Sequence, residues 1–217
     1  MFSLVLSLSV FFAYRWLQNK LKSNLISPIL FGGITIIGII KLLGISNAEY
    51  QAGCAIFSWL LTPATVCLAV PLYEQVKILR KSLKAILIGV VSGTLASLLF
   101  VGLMCALMIK DDVLTASLLP KSITTAMGIV LSAQNGGSPA ITAIVICITG
   151  NLGSIMCPTL SKLFKLDNPI SEGVAFGTAT HVMGTAVITE KNPLSGAASG
   201  LSLVVAGLLT AIILTVV

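Results

Sequence analysis

Lys121 has more capacity for chemistry than any other residue in this chain, because of where it stands. It follows Pro120 and precedes Ser122, Thr124 and Thr125 inside LLPKSITTAMGIVLSAQ (Leu118–Gln134), a run that is otherwise apolar. Proline cannot donate a backbone hydrogen bond, and a charge at membrane depth costs about 2.5–3.5 kcal/mol on insertion scales. Broken helices are tolerated at that depth where they line a cavity, and the start of a resumed helix offers unpaired N–H groups to an anion. The pattern predicts half of a binding site for a small organic anion, with Lys121 as the fixed charge. A plainer reading puts Lys121 at the water interface and lets Pro120 end a loop.

A second stretch, GTATHVMGT (Gly177–Thr185), is small, hydroxyl-rich and carries the single histidine. Threonine hydroxyls and glycine-freed amides can bind oxyanions, so Thr178 and Thr180 are candidate ligands. His181 titrates near neutral pH when unperturbed and is a candidate carrier of a coupled proton. The alternative is a tight helix crossing in which the small residues pack and the histidine makes one internal hydrogen bond. Thr62-Pro63-Ala64-Thr65 is a third interruption, with Thr62 and Thr65 as candidates; its plain reading is a proline kink. Asn151, inside Gly150-Asn151-Leu152-Gly153, is a lower-ranked polar candidate, and Gln134 and Asn135 rank with it.

Enzymatic readings find little support. HExxH, GxSxG, Walker A and paired-carboxylate patterns are all missing, and the acidic residues fall at the ends of apolar segments. We expect no catalytic residues, no metal and no cofactor. Cys54, Cys67, Cys105, Cys147 and Cys157 lie in apolar stretches without CxxC spacing and read as small buried hydrophobes.

The elements that must position these residues are membrane helices. Of 217 residues, 56% are hydrophobic and 9% charged, and mean hydropathy is +1.06. A soluble domain has about 25% charged residues, so the composition indicates an integral membrane protein. Spans of about 20 residues give roughly seven crossings plus a broken or re-entrant element. The fold class is all-α and polytopic, with the whole chain, 1–217, as one transmembrane domain. The net charge of +6 then reports orientation, not nucleic-acid binding.

In order, the apolar stretches are 2–17, 25–45, 52–73 (broken at Pro63 and Pro71), 85–109, the Lys121 stretch, 140–160, 173–189 and 197–217. The first reads as a transmembrane helix and not as a removed signal. Gly89, Gly93 and Gly102 in the fourth allow close helix contact. Lys20, Lys22, Lys77, Arg80, Lys81 and Lys84 are expected in the cytoplasm, with Lys41–Glu49 and Lys110-Asp111-Asp112 outside. Residues 113–133 either cross or dip in and return, and only the second case keeps Lys162 and Lys165 on the cytoplasmic side. Lys41–Asn47 through Thr65 can be laid beside Lys162–Asn168 through His181, a possible inverted repeat of about 25–109 and 139–217. Such repeats mark secondary transporters.

Three segments in this order carry a resemblance: LTPATVCLAVPLYEQ (Leu61–Gln75), the span from Leu118 to Pro158, and EGVAFGTATHVMGTAVITE (Glu172–Glu190). Together they resemble the LrgB/CidB family of bacterial membrane proteins, which also resembles the C-terminal half of the plant plastid glycolate/glycerate translocator. The resemblance implies a cell-membrane protein and a separate LrgA/CidA-like partner. It also implies one of two roles: holin- or antiholin-like control of murein hydrolase activity and lysis, or carriage of glycolate-, glycerate- or pyruvate-like carboxylates. A lesion-forming holin has no use for a lysine at a helix break, so the residues favour carriage by alternating access, with proton coupling through His181, in a protein expected to form a homodimer.

Overall fold

The computed structural model describes residues 2–21, 28–67 and 69–216. Its elements, among the described residues, are all helical. The chain divides into two compact units, Met1–Leu68 and Ala69–Val217.

In the first unit, α1 (Phe2–Leu21) and α2 (Pro28–Leu43) meet through the Tyr14 hydroxyl, 2.8 Å from Thr35 Oγ1. The short α3 (Asn47–Gly53) is capped by Ser46 and ties back to α1 through Tyr50 Oη, 2.6 Å from Ser7 Oγ. The following α4 (Ala55–Cys67) runs helically through Pro63, so the break expected at Thr62-Pro63 does not occur there. A proline removes one backbone hydrogen bond, and a helix can absorb that loss without ending.

The second unit opens with α5 (Ala69–Glu74) and α6 (Val76–Lys81) and continues into the long α7 (Leu83–Met104), which ends in a π-turn at Cys105–Ile109. Lys110, in the left-handed region at φ 51°, stops it, and Asp111 caps α8 (Asp112–Leu118) by accepting from the Leu114 N–H at 2.8 Å. Then the backbone breaks. A 3₁₀ turn spans Leu119–Ser122, Pro120 leaves helical geometry, Ile123 is extended, and Thr124 caps α9 (Thr125–Gln134) through the Met127 N–H.

This broken element folds back on itself. Thr142 Oγ1 lies within hydrogen-bond distance of both Ser117 O, at 3.0 Å, and Ser132 Oγ, at 2.7 Å. On one straight helix those two partners would be about 22 Å apart. The stretch is therefore a helical hairpin, the shape that the second of the two cases calls for. Its base is fastened to the start of α10 (Pro139–Leu163), where Ser138 N–H also donates to Ser117 Oγ at 2.7 Å.

The stretch α11 (Pro169–Lys191) is a second hairpin. Glu172 Oε1 accepts from Lys191 Nζ at 2.6 Å, although 19 residues of continuous helix would separate them by about 28 Å. The chain reverses at His181, whose φ of 45° and ψ of −138° lie outside helical geometry. Such a backbone in a bulky residue costs about 1–3 kcal/mol and persists only where packing holds it. The last helix, α12 (Pro193–Val216), packs along both arms. Three helical segments among the described residues are long and apolar enough to cross a membrane: Leu83–Ile109, Pro139–Leu163 and Pro193–Val216. Where one broken or re-entrant element was expected, there are two helical hairpins. They enter from opposite ends of α10, the first tied to its N-terminal turn and the second joined to its C-terminus through residues 164–168.

Candidate functional site

The tip of the first hairpin meets α7 and the leading arm of α11 around a cavity of about 330 Å³. Lys121 and Ser122 come from the tip, Gly89, Gly93 and Ser97 from α7, and Val174, Ala175, Thr178 and Ala179 from α11. Three of these side chains are chained together. Lys121 Nζ donates to Ser122 Oγ at 3.3 Å, and Ser122 Oγ lies 3.1 Å from Ser97 Oγ. Lys121 forms no ion pair with any described residue. A half-buried ammonium with one weak neutral partner is a standing invitation to an anion.

Thr178 adds a second unsatisfied group. Its hydroxyl is buried without a hydrogen-bond partner among the described residues, and the residue is 9% exposed. Leaving such a group unpaired costs about 1–3 kcal/mol. Both α7 glycines are needed for the close approach of α11: a Cβ at Gly89 would sit 3.1 Å from Val174 Cγ1, and one at Gly93 3.1 Å from Thr178 Cγ2.

The other candidates are distributed differently. Thr124 is the cap of α9 and Thr125 is exposed at its first turn; neither lines the cavity. Thr180 and His181 face α10 instead. Thr180 is fully buried against Gly153, and its hydroxyl donates to Phe176 O at 2.6 Å. His181 places Nε2 3.1 Å from Ile146 O, and a Cβ on Gly150 would meet its ring at 2.6 Å. Asn151 is buried on that same side and donates to Cys147 O at 2.9 Å. Thr62 and Thr65 belong to α4 in the other unit, and their side chains fall outside the described residues.

The structure thus brings Lys121, Ser122 and Thr178 together and assigns Thr180, His181 and Asn151 to the seam between α10 and the second hairpin. Ser97 was missed from sequence, since one serine in a long apolar helix carries no signal of its own. Gly89 and Gly93 were legible as packing residues but not as cavity wall.

Comparison with known proteins gives a consistent answer. The model of the LrgB-like family matches residues 7–217. The antiholin-like protein LrgB of Bacillus subtilis is 32% identical over 216 residues, covering 99% of this chain and 94% of that protein. The holin-like protein CidB of Staphylococcus epidermidis is 32% identical over 215 residues, covering 98% and 93%. An uncharacterized B. subtilis protein, YwbG, is 30% identical over 208 residues, covering 96% and 92%. No solved structure matches. Two of these names carry the holin and antiholin description that the sequence reading placed second, and none of the three mentions a carboxylate.

Proposed function

The chain belongs to the LrgB-like family, and on that premise we propose that it is a holin- or antiholin-like protein of the cell membrane. The observation that carries this reading is the match to LrgB and CidB proteins over nearly the full length of both chains. Its expected surroundings are the bilayer, an LrgA/CidA-like membrane protein and a second copy of itself, with the basic segments at Lys77–Lys84 and Lys162–Lys165 on the cytoplasmic side.

One structural observation favours a finer, second reading: carriage of small carboxylates of the glycolate, glycerate or pyruvate kind. The cavity holds an ammonium without a counter-ion among the described residues, beside two serines, at the junction of two broken helices that enter from opposite ends of α10. Opposed hairpins suit alternating access, because a shift at the tip of the first against the fixed second can open the cavity toward one face and close it toward the other. In this reading His181 carries the coupled proton, and the possible repeat of 25–109 and 139–217 relates the two access states. Altered organic-acid flux would then connect carriage to lysis.

Vesicles containing the purified protein separate the two readings. A carrier takes up or exchanges a short hydroxy- or keto-acid with saturable kinetics and leaves a larger trapped dye inside. A holin-like pore releases the dye with no carboxylate saturation. Replacing Lys121 by alanine removes a charge-assisted hydrogen bond of roughly 1.5–3 kcal/mol, so carboxylate binding should weaken about tenfold or more. Lys121→Arg keeps the charge on a different shape and should impair less. Lys110→Ala is the control. If the Lys121 and Lys110 variants transport equally well, the carrier site is wrong.

A further inference from the structure

We propose that Gly89 and Gly93 set the width of the cavity around a small monoanion held on Lys121, so that these three residues decide which anions fit. This deepens the carrier reading and rests on it. Gly89 and Gly93 are one helical turn apart and share a face of α7. Most of the close-packed glycines in this unit press on backbone or on side chains locked in the interior. Gly177, for example, lies against the Ser199 carbonyl. Gly89 and Gly93 instead meet the methyl groups of Val174 and Thr178, and all four residues line the cavity. A methyl added at either glycine takes its space from the cavity or pushes the α11 arm away.

The chemistry of the lining limits the charge as well as the size. Lys121 is the only cation among the lining residues. Gly89, Gly93, Val174, Ala175 and Ala179 make up most of the rest of the lining, and none of them offers a second carboxylate a charged partner. Desolvating that second charge is unfavourable, so a dianion of similar length is rejected.

The test uses the full chain in liposomes and a series of straight-chain 2-hydroxy monocarboxylates of increasing length, with a dicarboxylate for comparison. Gly93→Ala should raise the half-saturating concentration of the longest transported acid at least tenfold more than that of the shortest. Gly89→Ala should shift the series in the same direction. Gly200→Ala, whose Cβ would meet nothing within 4 Å, should leave the ratio unchanged. An equal shift across the series, or a dicarboxylate that competes as well as a monocarboxylate, overturns the proposal. Absence of saturable uptake by the unaltered protein sinks the carrier reading, and a second readout then judges the filter independently. With the five native cysteines replaced, Ser122→Cys is reacted with anionic thiosulfonates of two sizes. Gly93→Ala should slow the larger reagent at least tenfold relative to the smaller, and parallel rates overturn the size filter.

Discussion

The two hairpins have similar outlines and are held in opposite ways. In the second, backbone touches backbone: Gly173 lies against Ser195 O, Gly177 against Ser199 O and Gly196 against Thr189, while the two ends are clipped by Glu172 and Lys191. In the first, hydroxyls do the holding. Ser117, Ser132 and Thr142 fasten its base, and Ser122 reaches Ser97 from its tip. Close-packed backbone leaves no room to shift, because interiors at crystal-like density transmit any displacement to their neighbours. At the tip of the first hairpin Pro120 and Ile123 are buried, but the Ser97–Ser122 hydrogen bond on its polar side can be exchanged for water or a ligand at small net cost. The first hairpin is thus suited to move at its tip, and the second to stay fixed on α10 and α12.

The sharpest way to break this contrast is one added methyl in each hairpin. Gly177→Ala drives a Cβ into the Ser199 carbonyl, which belongs to a buried helix and cannot step aside, so about 3 kcal/mol or more of stability should be lost. Gly128→Ala meets the Cδ1 of Ile146, the far end of a flexible side chain, and should cost about 1 kcal/mol. Thermal unfolding in detergent compares them, and equal losses would remove the distinction. Next in size is the clip. Lys191→Ala leaves the buried Glu172 carboxylate to find water, for a loss of about 1–2 kcal/mol. Glu172→Gln keeps a hydrogen-bonding group and should lose less. If neither variant lowers the melting temperature, the arms are held by packing alone. The smallest effect is expected for Ser97→Ala, about 0.5–1 kcal/mol. Hydrogen exchange should nevertheless quicken at Ser122–Thr124 and stay unchanged at Thr180–Thr185. Faster exchange at both tips would mean that they move together.

What the sequence made legible follows the same divide. The break at Pro120–Thr124 could be read because proline and lysine are both costly in an apolar run, so local chemistry announced it. The reversal at His181 could not. Gly177 and Gly184 flank it and would be the natural places for a left-handed residue, yet the chain turns on the histidine. Tertiary contacts to Ile146 and Gly150 hold it there, and those partners lie more than thirty residues upstream. Pro63 erred in the other direction, since a proline announces a break that α4 does not make. Membership of Lys121, Ser122 and Thr178 in one cavity followed from residue type. The division of Thr178 from Thr180 required knowing which face of α11 meets α10.

The second hairpin also has a consequence for how the protein is made. Its two arms bury Glu172, Thr178, Thr180, His181 and Thr185, a set of groups that lipid alone cannot satisfy. Glu172 has its cation only once Lys191 has been synthesised, and Gly173 and Gly177 have their packing surface only once Ser195 and Ser199 follow. During translation, α11 is therefore complete before the segment that shelters it has been made. It must wait beside the insertion machinery, or in the shelter of α10, until α12 arrives. Chains truncated after residue 192 should accordingly leave this stretch accessible to water-borne labels, and the full chain should not.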